Sequence, residues 1–66
     1  ADNAACECAY YVRLPAAFAA ELDAESVSYE GSTARVITKP MSVKAMHELA
    51  KRLRKGGAEL FFAELG

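Results

Sequence analysis

The residues with the most evident chemistry are two cysteines, Cys6 and Cys8, separated by one glutamate. In an extended strand, residues two apart point to the same side, so both thiols would share one face. A disulfide between them would close a very short and strained ring, and two ligands do not complete a zinc site. The pair is compatible with structural thiols, a redox or ligand-binding face, or covalent attachment of a cofactor at Cys6 or Cys8, and no metal site is predicted.

His47 is the only histidine of the chain. On a helix it falls outside the apolar face, which is typical of a surface histidine rather than of a general base. Nothing in the spacing of Cys8 and His47 indicates a thiolate–imidazole pair. Gly56-Gly57 follows a predicted helix instead of opening one, so it lacks the geometry of a phosphate-binding loop. We therefore predict no catalytic residues and no enzymatic activity.

The composition indicates one small domain spanning residues 1–66. The chain is 26% charged and 53% hydrophobic, with a formal net charge of -1, and a chain of this length has a thin core. No hydrophobic run approaches the roughly 18 to 20 residues of a membrane-spanning helix. The pI of about 5.7 and the lack of an aromatic and basic RNP-type motif disfavour nucleic-acid binding. Binding or scaffolding is the expected class of function.

Charge is divided unevenly along the chain. Residues 1–30 carry six acidic side chains and one basic side chain, whereas residues 31–66 carry seven basic and three acidic ones. On the predicted second helix, Lys44, Lys51 and Lys55 fall within about 40° of one another. This basic ridge is either a solvated helix face or a surface that docks on an acidic partner.

Hydrophobic periodicity predicts the element order β-α-β-β-α-β. Gly31-Ser32 predicts a type II′ hairpin turn, Ser42 a helix N-cap, and Gly56 a left-handed C-cap. The order corresponds to a ferredoxin-like α+β fold, in which a four-stranded antiparallel sheet carries two helices on one face. If the first helix does not form, a β-β-β-α-β arrangement with one helix remains. The predicted strands are 8–14, 26–30, 33–39 and 58–65, and the predicted helices are 15–22 and 43–55.

Aromatic side chains are abundant on the predicted strands, and two short helices cannot cover all of them. An aromatic group left exposed on a sheet would form a protein-binding surface. We therefore predict Tyr11 and Phe61 as partner-binding residues, together with Lys44, Lys51 and Lys55 of the basic ridge. The five aromatic residues on the strands are Tyr10, Tyr11, Tyr29, Phe61 and Phe62.

The N-terminal segment is polar and small. The chain begins with Ala1 rather than methionine and has no apolar signal core. This is the pattern expected of a processed mature chain or a trimmed one. Residues 1–6 are expected to form a flexible lead.

The second half of the chain combines a serine-containing turn, a strand that ends before a proline, a basic amphipathic helix, a glycine pair and an apolar closing strand. These features are Gly31-Ser32, residues 33–39 with Pro40, the helix containing Arg52, Gly56-Gly57, and residues 58–65. In this succession, residues 31–65 resemble the small linker (CpcD-like) domains of phycobilisomes, the light-harvesting antenna complexes of cyanobacteria and red algae.

This resemblance implies a non-enzymatic linker that inserts into or caps a phycobiliprotein assembly in photosynthesis. Its contacts would tune the symmetry of the oligomer and the environment of the pigments, in association with a plastid or thylakoid. The resemblance also makes Cys6 or Cys8 the candidate position of a covalently bound bilin.

A second resemblance is to peptidoglycan-binding SPOR domains. It is carried by the opening strand Tyr10-Tyr11-Val12-Arg13-Leu14 and by the helix end at 49–57. It implies a cell-wall ligand in place of a protein partner. The expectation adopted from the sequence is a protein-binding structural subunit of a larger assembly. The alternatives are a small ligand-binding or redox module on the Cys6/Cys8 face, or a SPOR-like domain.

Overall fold

The structure of the protein is a computed structural model that describes residues 6–65. It is a small α+β fold with two antiparallel sheets and one main helix, which confirms the predicted α+β class. The predicted lead, residues 1–6, lies outside the described residues except for Cys6. The strands are β1 (Glu7–Cys8), β2 (Tyr10–Pro15), β3 (Ala24–Glu30), β4 (Thr33–Thr38), β5 (Met41–Ser42) and β6 (Phe61–Glu64), and the helices are a 3-10 helix (Ala16–Glu21) and α1 (Val43–Lys55).

The main sheet has the strand order β3-β4-β2-β6, with antiparallel neighbours throughout. Val12 on the central strand β2 lies opposite Val36 of β4 on one side and Phe62 of β6 on the other. The second sheet is a ribbon of β1 and β5 alone, in which Glu7 pairs with Ser42 and Cys8 with Met41. No helix among residues 6–65 is long and apolar enough to cross a membrane.

The core lies between the main sheet and the helices. Apolar side chains alternate along β2 and β4, so that every second residue is buried on one face. The buried residues of α1 recur at the spacing of a single helical stripe, and residues of the 3-10 helix join the same cluster. Burial of this cluster supplies the main driving force for folding. Its members are Tyr10, Val12, Leu14, Ala19, Leu22, Ala34, Val36, Met46, Leu49, Ala50, Leu53 and Ala58.

The helix predicted at 15–22 is a 3-10 helix of six residues rather than an α-helix. Pro15 still belongs to β2, and no side chain caps the segment. Nucleating an α-helix is unfavourable, and a segment of six residues adds few hydrogen bonds to offset that free energy. The tighter turn of a short 3-10 segment is therefore favoured. Ala19 and Leu22 nevertheless reach the core. The first of the two predicted helices is therefore a short 3-10 segment, and one main helix, α1, covers the sheet.

The N-terminus of α1 is capped as the sequence predicts, whereas the left-handed residue at its C-terminus lies one position later than predicted. The Ser42 hydroxyl accepts a hydrogen bond from the Ala45 backbone N–H at 3.1 Å, as expected of an N-cap. The left-handed residue at the other end is Gly57, with φ of 104°, and not Gly56, whose φ is -81°. Gly57 and Ala58 donate to the carbonyls of Arg54 and Leu53, both at 3.0 Å, which is the hydrogen-bond pattern of a Schellman motif.

The hairpin between β3 and β4 also forms where predicted. Gly31 has a φ of 63°, and no residue other than glycine has positive φ within residues 6–65. Positive φ at the first central position alone is what a type II′ turn requires. The turn fixes the register that places Tyr29 opposite Ala34.

Candidate functional sites

The first candidate site is the sheet face turned away from α1, which we call the open face. Because side chains alternate along β2, Tyr11 and Arg13 point to this face while Tyr10 and Val12 point to the core. Phe61 of β6 lies opposite Arg13 and is 52% exposed. Its ring meets the Tyr11 ring edge-on, with 6.5 Å between the ring centres. The predicted residues Tyr11 and Phe61 therefore form one aromatic pair on the surface.

The aromatic pair has a positively charged border. The Arg13 guanidinium lies 5.8 Å from the centre of the Phe61 ring, within the range of a cation–π contact. Arg35 is the cross-strand neighbour of Arg13 and forms a salt bridge to Glu30 at 2.9 Å. Arg13 itself has no salt-bridge partner within residues 6–65. The open face thus carries one uncompensated arginine beside its exposed aromatic ring.

A shallow cavity of about 360 Å³ adjoins this aromatic pair. It lies where β2 and β6 begin to diverge, and Arg13, Pro15, Glu59 and Phe61 contribute to its walls. Arg13 and Glu59 give this recess a largely polar lining, so it suits a polar or charged side chain of a partner that packs beside the Phe61 ring.

The basic ridge lies on the opposite side of the molecule. Lys44, Lys51 and Lys55 are exposed on α1. The buried stripe of α1 faces the core, and the lysines occupy the side of the helix farthest from that stripe. The structure therefore does not bring the five predicted partner-binding residues together. A single flat partner can contact the open face or the basic ridge, but not both.

The other aromatic residues have separate environments. Tyr10 is only 2% exposed, and its ring lies 6.0 Å from that of Phe62. Phe62 is half-buried, with the exposed His47 ring 5.4 Å away and the Arg54 guanidinium 5.7 Å away. Tyr29 is 64% exposed because it lies on the edge strand β3. Only some of the aromatic side chains on the strands are therefore exposed enough to contact a partner.

The second candidate site is a cavity of about 290 Å³ beside the β1–β5 ribbon, which we call the cysteine cavity. Cys6 is exposed, Cys8 is half-buried, and both are free thiols. Both cysteines line this cavity, as does Glu7 between them, and Cys6 lies just before β1. No group of three or more His, Cys, Asp or Glu side chains between residues 6 and 65 is placed to hold a metal ion. The walls are formed by Cys6, Glu7, Cys8, Tyr10, Val43 and Glu64.

The Tyr10 hydroxyl is the unusual group of the cysteine cavity. Within the described part of the chain, it is a buried side-chain oxygen without a hydrogen-bond partner. Burial raises the pKa of Tyr10 to about 12, and the neighbouring Cys8 and the negative charge of Glu64 add to this increase. Cys8 acts on the Tyr10 hydroxyl as a weak hydrogen-bonding and charged neighbour, although the hydroxyl makes no hydrogen bond of full geometry to any group in residues 6–65. Tyr10 therefore stays protonated, with a donor to offer to a bound group.

The raised pKa of Tyr10 can be tested by alkaline titration. The contribution of Tyr10 to the tyrosinate absorbance near 295 nm should appear as a late stage, at a pKa of about 12. Since the folded pKa lies above the unfolded value of about 10, Tyr10 contributes stability that is complete below pH 10 and is lost as the pH rises towards 12. Tyr10→Phe should remove the late stage, and Tyr29→Phe should leave it intact. Ionisation of Tyr10 at the ordinary tyrosine pKa of about 10 in the folded protein would contradict the prediction.

The sequence analysis missed Arg13 and Met41 as candidate site residues. Arg13 is detectable from the alternation that places it two residues from Tyr11 on the same face. Met41 lies beside Cys8 only because β1 pairs with β5, 33 residues later in the chain. No local sequence pattern predicts that pairing.

Comparison of the chain with protein-family models, with curated proteins and with solved structures found no match to any of them.

Proposed function

We propose that this protein is a non-catalytic, protein-binding subunit of a larger assembly, and that it binds its partner through the open face. The observation that carries the proposal is the half-exposed Phe61 ring, held against Tyr11 and Arg13 on a sheet face that neither helix within residues 6–65 covers. Aromatic residues and arginine are the side chains that most often dominate binding energy at protein interfaces. A partner with an apolar projection and a nearby carboxylate would match this surface.

The open face is a better binding surface than the basic ridge for an energetic reason. Exposed lysines pair with carboxylates for roughly 0 to 1 kcal/mol, because water screens the charges and ordering the long side chains costs entropy. A central aromatic residue contributes about 2 kcal/mol or more when a partner buries it. Lys44, Lys51 and Lys55 are therefore assigned a role in steering an acidic partner towards the molecule.

A ferredoxin-like arrangement and a light-harvesting partner are the finer parts of the proposal. The strand order β3-β4-β2-β6, with both helices contributing to one core, is compatible with the predicted βαββαβ topology. The resemblance of residues 31–65 to phycobilisome linkers makes a phycobiliprotein complex the first partner to test.

The test uses the chain tagged and purified with its bound proteins from source cells, with partner amounts measured by mass spectrometry. Phe61→Ala and Tyr11→Ala are each expected to lower the recovered partner about 10- to 30-fold, the equivalent of roughly 1.4 to 2 kcal/mol. Tyr29→Ala is the matched control, because it removes an exposed aromatic ring outside the open face. Loss of the partner in a Lys44→Glu, Lys51→Glu, Lys55→Glu variant, with full retention in Phe61→Ala, would move the interface to the basic ridge and overturn the proposal.

A second candidate function is a small ligand-binding or redox module at the cysteine cavity. The specific observation in its favour is that a buried hydroxyl without a hydrogen-bond partner among residues 6–65 shares one cavity with both thiols. Buried polar groups are nearly always hydrogen-bonded, so this donor is free to take an acceptor from water or from a bound group. The first test of this function is whether mild oxidation or a bound ligand protects Cys6 and Cys8 from alkylation.

A further inference from the structure

The β1–β5 ribbon pairs one of the cysteines with a methionine. Cys8 and Met41 are direct cross-strand partners, and side chains paired in this way have Cβ atoms about 4.5 to 5.5 Å apart. Both pack, partly buried, against the core. Cys6 precedes β1 and joins Cys8 in the wall of the cysteine cavity. Met41 does not line the cavity itself but lies across the ribbon from Cys8, so one thioether adjoins the two thiols although Cys6 and Met41 are 35 positions apart.

The possible metal ligands of this cluster are sulfur atoms, which are soft donors and prefer soft metal ions. Thiolate and thioether sulfur select Cu(I) over harder ions, which prefer oxygen or imidazole nitrogen. A structural zinc site needs four ligands, and the described residues bring together no cluster of three His, Cys, Asp or Glu side chains. A soft ion that accepts two or three sulfur ligands is the metal that the cluster fits. The carboxylates of Glu7 and Glu64 in the same walls would attract a cation.

The Tyr10 hydroxyl supplies an independent indication. It is buried, has no hydrogen-bond partner in the described part of the chain, and lines the cavity together with Cys8 and Glu64. A metal-bound thiolate accepts hydrogen bonds far better than a neutral thiol, and such outer contacts orient metal ligands. A cysteine sulfur charged by metal binding would give this donor the acceptor that it lacks.

We propose that the cysteine cavity binds one Cu(I) ion through the sulfur atoms of Cys6 and Cys8, with Met41 as the third sulfur ligand and Tyr10 as a hydrogen-bond donor to Cys8. Binding forms two thiolate–copper bonds, releases the two thiol protons to solvent and transfers no electrons. This inference rests on the second candidate function, that the cysteine cavity binds a ligand, and not on binding at the open face.

The experiment titrates the fully reduced chain, without oxygen, against the Cu(I) complex of bicinchoninate. The chain is expected to withdraw one Cu(I) equivalent and to gain ultraviolet absorption from sulfur-to-copper charge transfer. Cys6→Ser and Cys8→Ser are expected to weaken the affinity at least 100-fold, and Met41→Leu about 10-fold. Tyr10→Phe, which removes an orphaned polar atom and leaves the ring in the core, should weaken it about 10- to 100-fold, the usual effect of losing an outer hydrogen bond.

The matched control is Tyr29→Phe, which removes an exposed hydroxyl and should leave the affinity unchanged, and circular dichroism verifies the fold of each variant. Failure to withdraw copper, or withdrawal that both cysteine variants retain, overturns the copper site. An affinity unchanged in Tyr10→Phe overturns the proposed donor. If copper does not bind but glutathione disulfide removes two hydrogens from the chain, the copper site is wrong and the redox candidate stands. If neither occurs, both are wrong.

Discussion

Replacing Met46 with alanine is expected to remove about 2 to 5 kcal/mol from the free energy of unfolding, the usual cost of truncating a buried methionine. Met46 is 0% exposed and lies in the stripe of α1 that joins the core. A domain of 66 residues has a total stability of only about 3 to 10 kcal/mol, at roughly 0.05 to 0.15 kcal/mol per residue. The variant should therefore lose much of its stability, measured as a lower midpoint of urea unfolding.

Val43→Ala is the matched control for this substitution. Val43 begins the same helix and is 41% exposed, so its truncation leaves little cavity and should change the stability by less than about 1 kcal/mol. Equal losses in the two variants would mean that the buried stripe of α1 is not what holds the helix against the sheet.

Thr38→Val is expected to cost about 1 to 3 kcal/mol, the penalty for leaving a buried donor without its partner. The Thr38 hydroxyl accepts a hydrogen bond of 3.0 Å from the Tyr10 backbone N–H, and Thr38 is buried. The contact lies at the end of the β2–β4 pairing, where a side chain takes the place of the next backbone acceptor. Valine preserves the shape of threonine, so the loss reports on the hydrogen bond. The melting temperature should fall by about 4 to 8 °C for each kcal/mol lost.

The control is Thr33→Val at the other end of the same strand. Thr33 is only partly buried and points to the open face, so valine should be tolerated there within about 0.5 kcal/mol. A Thr38→Val variant as stable as the parent chain would show that the Tyr10 N–H finds another partner in solution.

Much of the local structure could be predicted from neighbouring residues. The alternation in β2 and β4, the glycine in the hairpin turn, the Ser42 cap and the stripe of α1 each express a short-range rule that a sequence displays directly. The prediction failed at 15–22, where an alanine-rich composition favours a helix but six residues are too few to sustain an α-helix. It also placed the left-handed cap one residue early, because either member of Gly56-Gly57 satisfies the same pattern.

The candidate sites depended more strongly on long-range geometry. The sequence identified Tyr11, Phe61, Cys6, Cys8 and the three lysines, since the type of each side chain is visible without coordinates. It could not show that the lysines and the aromatic pair lie on opposite sides of the molecule. That separation depends on which sheet face α1 covers.

The sequence by itself determined the four strands of the main sheet and the helix α1, because these preferences arise from contacts between residues a few positions apart. The tertiary structure alone decided the strand order, the exposure of Phe61 beside Arg13, and the meeting of Cys8 with Met41. Those juxtapositions join residues distant in the chain, and they are selected by how the whole set of apolar faces can be buried at once.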